Sequence, residues 1–444
     1  MSLHAVHVPT REELIRATAN KPVPRGIKLA CAVLAAIGAI VFIFGAVTGQ
    51  DRAWLALQFN WTFFTMVSSA GVAFAAVQRL TTARWSRPVV RFAEGYVGFL
   101  PVAFLLLLLM LFVGHHHIYA WAKETVHVDQ KREYLDPTFF RLRGIVIFGL
   151  ITFFSWWFVQ RSVRLDVGIS PEDGTASGWA RGARDKMRRA FGDERRELHS
   201  THSLLGKLAA VICLLYGYGW SVLIWDYSMT ISLHFQSTMY SWQVFMGAWL
   251  VMLFTLAILA RWWRAHLNAP DLITESHYHD IGKLCFAFTA FWGYLTFAQY
   301  LVIWYGNMPE ETHYFRLRLM QPWIGMTTAV AVLVFVIPFF GLLGKYPKLY
   351  SPWMLFVAIC GTLGMWMHRY LEIYPSTFGE VASLPFGLME IGVSLGMLGL
   401  WGLSYMGFMD AFPKMRIFMM TSPFRDEVQV PCDPKTMEPL PAHE

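Results

Sequence analysis

The sequence predicts an all-α integral membrane protein of about ten transmembrane helices. Composition is the first reason: 55% of the 444 residues are hydrophobic and only 15% are charged, against about a quarter charged in a soluble domain. A mean hydropathy of +0.41 agrees. The run 95–114 then carries no charge at all, and about 20 such residues suffice to cross roughly 30 Å of hydrocarbon as a helix.

Ten apolar runs follow one another, at 27–48, 54–78, 95–114, 144–160, 205–224, 240–260, 284–305, 323–344, 352–370 and 385–410. The first follows a mostly polar segment, 1–26, and is too long for a signal-peptide core, so it reads as a retained anchor. The fourth is short, with Trp156 and Trp157 placed to anchor its end at the interface. Five spans (27–160) and five more (205–410) flank the connection 161–204, which mixes both charge signs with Gly, Ser and Pro. It reads as a cytoplasmic loop with a short helix near 179–197. The tail, 411–444, is rich in proline and is expected to be extended. The connection "WDYSMTISLHFQSTM" (225–239) lacks Lys and Arg yet holds Asp226 and His234. Such a segment can fold back on the bundle where protein or a wet cavity satisfies its backbone.

Orientation follows from the basic residues of the connections. The N-terminal side and every second connection hold 26 of them, the opposite side 8, so both termini are expected in the cytoplasm. This asymmetry accounts for the net charge of +7 without a nucleic acid partner. The five cysteines lie singly, with no C-x-x-C and no C-x-x-C-H. An iron–sulfur cluster or a c-type haem on this chain is therefore not expected. No pair of deep intramembrane histidines is available for haem b, and no residue is assigned as a metal ligand.

Ionisable groups at membrane depth need a partner or a role. On the outer side fall His115, His116, His117, Asp226, His234, His368, Arg369, Glu372 and Glu390; on the cytoplasmic side Glu94, His279, Asp280 and Asp410. Imidazoles and carboxylates from distant segments at one depth are what quinol oxidation needs, because two protons must be taken up as two electrons leave. In "GHHHIYAW" a helix turns about 100° per residue, so the three histidines cannot converge on one point. His116 or His117 remains as the proton-exchange candidate, with Tyr119 and Trp121 as interfacial anchors. Arg369 and Glu372, spaced i, i+3, can meet as a salt bridge or face inward to orient a substrate carbonyl. Glu94, His279, Asp280 and Asp410 are candidates for a cytoplasmic proton path.

Several stretches resemble one family: "AAVQRLTTARWSRPVVRFAEGYVGFLP" (75–101), "HHIYAW" (116–121), "KREYLDPTFFRLR" (131–143), "HDIGKLCFAFTAFWGYLTFAQYLVIWYGNMPEET" (279–312) and "LMEIGVSLGMLGL" (388–400). They are similar to the ActF membrane subunits of bacterial alternative complex III, relatives of the polysulfide-reductase (NrfD-like) subunits. The resemblance implies two four-helix bundles plus flanking helices, in the bacterial cytoplasmic membrane. It also implies a quinol:electron acceptor oxidoreductase complex that passes electrons to cytochrome c or a terminal oxidase. Its partners would be an ActC-type sister membrane subunit, an iron–sulfur subunit and c-type haem subunits. His116, His117, Tyr119 and Trp121 match the family's outer histidine motif, and Asp226, Met229, Ser237 and Thr238 its aspartate segment. Ser232 and Leu233 stand where the family has an acidic residue and proline, and Thr82 where it has glycine.

The expected function is thus a cofactor-free membrane subunit of a respiratory quinol-oxidising complex. The sister subunit is the better candidate for the quinol site beside a cluster. This chain would add a second quinol site, a proton route or a scaffold. The alternatives are a secondary transporter and a purely structural membrane scaffold.

Overall fold

The computed structural model describes residues 10–18, 21–122, 129–170 and 178–428. Among them there is no strand, and nine helices are long and apolar enough to cross a membrane. These are α1 (Arg25–Val47), α2 (Asp51–Leu80), α3 (Val90–Ile118), α4 (Pro137–Ile169), α6 (Glu194–Ile231), α7 (Thr238–Leu267), α8 (Glu275–Gly306), α10 (Ile324–Gly341) and α12 (Leu388–Ala411). Among the shorter helices between them are α5 (Gly178–Arg189) and α9 (Pro309–Leu319). The apolar run at 352–370 folds as the 28-residue α11 (Ser351–Phe378), about 42 Å long at 1.5 Å per residue. His368, Arg369 and Glu372 lower its hydropathy, but its length and packing are those of the other long helices.

The short fourth run becomes the longest uninterrupted helix, α4, with 33 residues. Asp136 starts it by accepting from the Thr138 and Phe139 N–H groups at 3.0 and 2.9 Å, with Pro137 in the first turn. The expected loop helix near 179–197 is two elements. α5 stops at Arg189, and Asp193 caps a new helix by accepting from Arg196 N at 3.0 Å. That new helix is already α6, so the connection is shorter than 161–204. The proline-rich end of the tail lies outside the described residues. Its beginning folds back, with a short helix at Ile417–Thr421 against α4.

Packing gathers α2, α3, α4 and α6 into one group and α7, α8, α10 and α11 into another, with α2 touching both α7 and α11 and one continuous core running through both. The last span packs on α2 and the start of α3, and it forms a close pair with the first. Their contact depends on glycine: a Cβ on Gly38 would lie 2.2 Å from the Gly396 Cα. Membrane helices gain their packing from such close backbone approach. Successive spans run antiparallel, so the bundle has two ends. The ends of α3, α6, α8 and α11 share one face, here the histidine face; the ends of α2, α4 and α7 share the other, the basic face.

Candidate functional site

A cavity of about 660 Å³ opens in the second group of helices, in the half toward the histidine face. Its inner wall comes from α11, where the i, i+4 spacing puts His368 and Glu372 on one side of the helix. They stand about 15 and 9 Å from the end of α11, at 1.5 Å per residue. His368 Nδ1 lies 3.0 Å from Glu372 Oε1, and Arg369 donates to Glu372 Oε2 at 2.7 Å. Arg369 is fixed in turn by the Val244 carbonyl at 3.3 Å. The indole of Trp292 meets His368 edge-on at 5.5 Å.

Three buried polar atoms on this wall have no hydrogen-bond partner: Trp292 Nε1, His368 Nδ1 and Glu372 Oε1. The 3.0 Å contact between the last two is not aligned as a hydrogen bond. Buried polar groups are almost always paired; His368 and Glu372 face each other, and the Trp292 N–H beside them is the one donor of the three left without a contact. The mouth is different in character. Phe297, Tyr300 and Leu319 are 61%, 37% and 47% exposed, whereas Trp292 and Glu372 are 4% and 3% exposed. The cavity therefore opens sideways through the apolar surface of α8, at membrane depth.

The segment after Asp226 closes the cavity's outer end. Phe235 stacks on Tyr314 at 3.9 Å, Gln299 donates to Ser237 Oγ at 3.1 Å, and Ser228 meets the Tyr240 hydroxyl at 2.5 Å. The fold-back read from "WDYSMTISLHFQSTM" is what the chain adopts, although His234 itself is exposed.

Arg318, on α9, holds α11 in register at the site. Pro375 lies inside α11 and has no N–H, so the Leu371 carbonyl four residues earlier loses its helical donor. Arg318 Nε supplies one at 2.9 Å. Its Nη2 donates to Glu372 O at 3.0 Å and Ser376 Oγ at 2.9 Å, and its Nη1 to Tyr314 O at 2.7 Å. Burial pushes the Tyr314 phenol up and the Arg318 guanidinium down from their ordinary values. Tyr314 stays neutral at physiological pH.

The other predicted residues lie outside this cavity, in separate ion pairs and ring clusters. His116 is exposed, a ring nitrogen 3.2 Å from Ala122 O. His117 stacks on Trp54 and meets Asp51 at 2.6 Å. The buried member of the triplet is His115, caged by Tyr119, Trp121 and Phe140. Asp226 is fully buried in a two-pronged pair with Arg143 at 2.7 and 2.6 Å, and accepts from Tyr134 at 2.7 Å. Glu390 is held the same way by Arg52 at 2.9 and 2.7 Å, with Tyr374 at 3.0 Å and Gly387 N at 2.8 Å. Both carboxylates are saturated by structural partners.

On the basic face, Glu94 sits between Arg91 and Arg416 and accepts from Ser162 at 2.8 Å. Asp410 pairs with Lys28 and accepts from Val23 N at 2.8 Å. Asp280 pairs with Lys283 at 2.8 Å, and His279 beside it is partly exposed. These groups are separate from one another and from the cavity. Sequence reading put Arg369 and Glu372 at the site and missed Trp292, Tyr240, Tyr314 and Arg318; Pro375 was the one signal, since it demands a donor from outside its helix. No protein-family model and no curated protein matches the chain.

Proposed function

We propose that the chain is a membrane subunit of a respiratory quinol-oxidising assembly and that the cavity takes the quinol ring. The observation that carries this reading is the coincidence of a lateral, mostly apolar opening with the buried His368–Glu372 pair and the unpartnered Trp292 N–H at its inner wall. Its volume lies in the range of sites for small organic ligands. A quinol entering from the lipid would keep its tail between the aromatic side chains of the mouth. One ring hydroxyl would face Glu372 and His368, and the Trp292 N–H would reach a ring oxygen.

Oxidation to the quinone releases two protons and two electrons. Glu372 and His368 are the acceptors at the inner wall, and Arg369 holds the Glu372 carboxylate in orientation through its 2.7 Å contact. The electrons leave to a redox centre on a partner subunit. The resemblance to ActF subunits supplies the partners: an ActC-type sister subunit, an iron–sulfur subunit and c-type haem subunits. With it come ten spans, cytoplasmic termini and the bacterial inner membrane.

One observation favours a second reading, transport of a small solute: α11 lacks one backbone hydrogen bond at Pro375 beside the cavity, and local disruption of helices near the site is common in transporters. Photolabelling of the native assembly with an azido-quinone separates the readings. The quinol reading expects label on α8 and α11 around Trp292 and His368, lost in Glu372→Gln together with turnover. Label confined to a sister subunit refutes it and leaves a scaffold; uptake of solute by liposomes containing this chain alone favours transport.

A further inference from the structure

On the basic face, at the opposite end of the molecule from the quinol cavity, we infer a binding niche for a phosphate group, built on Arg79 and Arg416. Two adjoining hollows of about 40 Å³ each share Arg79, His202, Arg416 and Met419 as walls. They lie where the last turn of α2 meets α6 and the C-terminal segment.

The charge count of this region is the first argument. Arg91, Glu94, Asp166 and Arg416 form one buried ionic cluster: Arg91 pairs with Glu94 at 2.5 Å and also with Asp166, and Arg416 pairs with Glu94. Asp166 is completed by the Phe418 N–H at 2.8 Å. Two guanidinium groups and two carboxylates cancel. Arg79 then adds a third guanidinium beside Arg416, and the hydrogen bond it makes is to a neutral carbonyl, His202 O, at 2.8 Å. A partly buried cluster with one surplus positive charge favours an anion, because charges out of water need a counter-charge.

The second argument is independent of charge. Gln78 is 9% exposed and lines the outer hollow, and its Oε1 is buried without a partner. Arg416 Nε is likewise buried and unpartnered. Turned about its last bond, the Gln78 amide presents its N–H₂ to the niche, an assignment that X–N/O geometry alone leaves open. Arg79, Arg416 and Gln78 would then direct N–H groups at one anion, the arrangement that suits phosphate oxygens. The carbonyls ending α2 do not oppose this. Gln78 O accepts from Ala83 N at 3.0 Å, and Val77 O from Thr81 N at 2.9 Å.

A phosphate can arrive as the headgroup of an anionic phospholipid or as a free anion, and the two differ in the test. The intact assembly is delipidated and titrated with inorganic phosphate, and in parallel placed in phosphatidylcholine nanodiscs with added phosphatidylglycerol, with native mass spectrometry as the readout. One equivalent should bind, weakened roughly tenfold or more by Arg79→Gln, the loss of one charge-assisted contact. Gln78→Glu guards against misfolding: it gives Arg79 an internal partner, so it should raise the melting temperature while expelling the anion. A response to phosphatidylglycerol alone assigns a lipid headgroup, and a response to phosphate assigns a soluble anion. Binding of neither ligand that responds to Arg79→Gln or Gln78→Glu overturns the niche, whatever the fate of quinol turnover.

Discussion

Removing Arg318 while restoring the backbone donor that Pro375 lacks tests how the site is held in shape. Arg318→Met keeps much of the side chain's bulk but deletes the donors to Leu371 O and Glu372 O, at 2.9 and 3.0 Å. Leu371 O is then an orphan, because Pro375 cannot donate to it. Hydrogen bonds from a charged donor contribute about 1.5–3 kcal/mol, and Arg318 itself is costly to bury, so a net loss of about 2 kcal/mol is expected. Pro375→Ala supplies the missing N–H. In the native background that carbonyl is already satisfied, and the gain should be small. In the Arg318→Met background the new N–H rescues an orphan, a gain of about 1–3 kcal/mol. The double-mutant cycle should therefore show coupling of about 1–2 kcal/mol in thermal unfolding of the detergent-solubilised chain followed by tryptophan fluorescence. Effects that add to within about 0.5 kcal/mol would show that the two residues do not share that carbonyl, and the clamp would be abandoned.

Three further outcomes follow from the same geometry. Glu372→Gln and His368→Asn should each slow quinol oxidation by the assembly about 10²-fold, the usual loss for a positioned proton acceptor, with unfolding temperature little changed; steady-state quinol:acceptor assays decide it. Arg143→Leu leaves the Asp226 carboxylate buried without its cation and should cost about 3–5 kcal/mol, while Arg143→Leu with Asp226→Leu should recover most of that, as measured by thermal unfolding. Gly396→Leu forces α12 away from Gly38 on α1 and should cost about 1–3 kcal/mol, read as detergent sensitivity of the α1–α12 pair; an unaltered melting curve would contradict the glycine contact.

What the sequence could and could not show divides along physical lines. Helices at membrane depth are a local property: apolar length and end signals determine them, and each run from 27–48 to 385–410 lies within a helix or overruns it by no more than three residues at either end. The i, i+3 pair Arg369–Glu372 is equally local, and forms at 2.7 Å. Partner choice for the lone carboxylates is not local. Asp226 finds its arginine 83 residues away, and Glu390 finds Arg52 at 338. Read alone, each looked like an unpaired acid poised for proton exchange, because a missing counter-charge and a distant one are indistinguishable in one dimension. The α4 and α6 ends failed for a different reason. Charged residues at a helix end lower the hydropathy without ending the helix, so Asp136 and Asp193 mark the starts better than the apolar runs do.

The two helix groups place similar chemistry at the histidine face and differ in one respect. Each has an acid near the end of its fourth helix, and an arginine over a tyrosine ring: Arg143 on Tyr134 at 3.8 Å and Arg318 on Tyr314 at 3.3 Å. In the first group the arginine takes the acid directly, and His115, Tyr119, Trp121 and Phe140 pack the space with ring contacts of 5.2 to 5.6 Å. In the second the arginine is turned onto the α11 backbone before Pro375, and Glu372 lines the hollow together with His368, 3.0 Å from its other oxygen. Interiors normally close such spaces, since unmade contacts cost dispersion energy. The same architecture closes it with aromatic rings on one side and keeps it open on the other. That contrast supports the second group as the ligand-binding half, and it moves attention from the histidine triplet at 115–117 to His368.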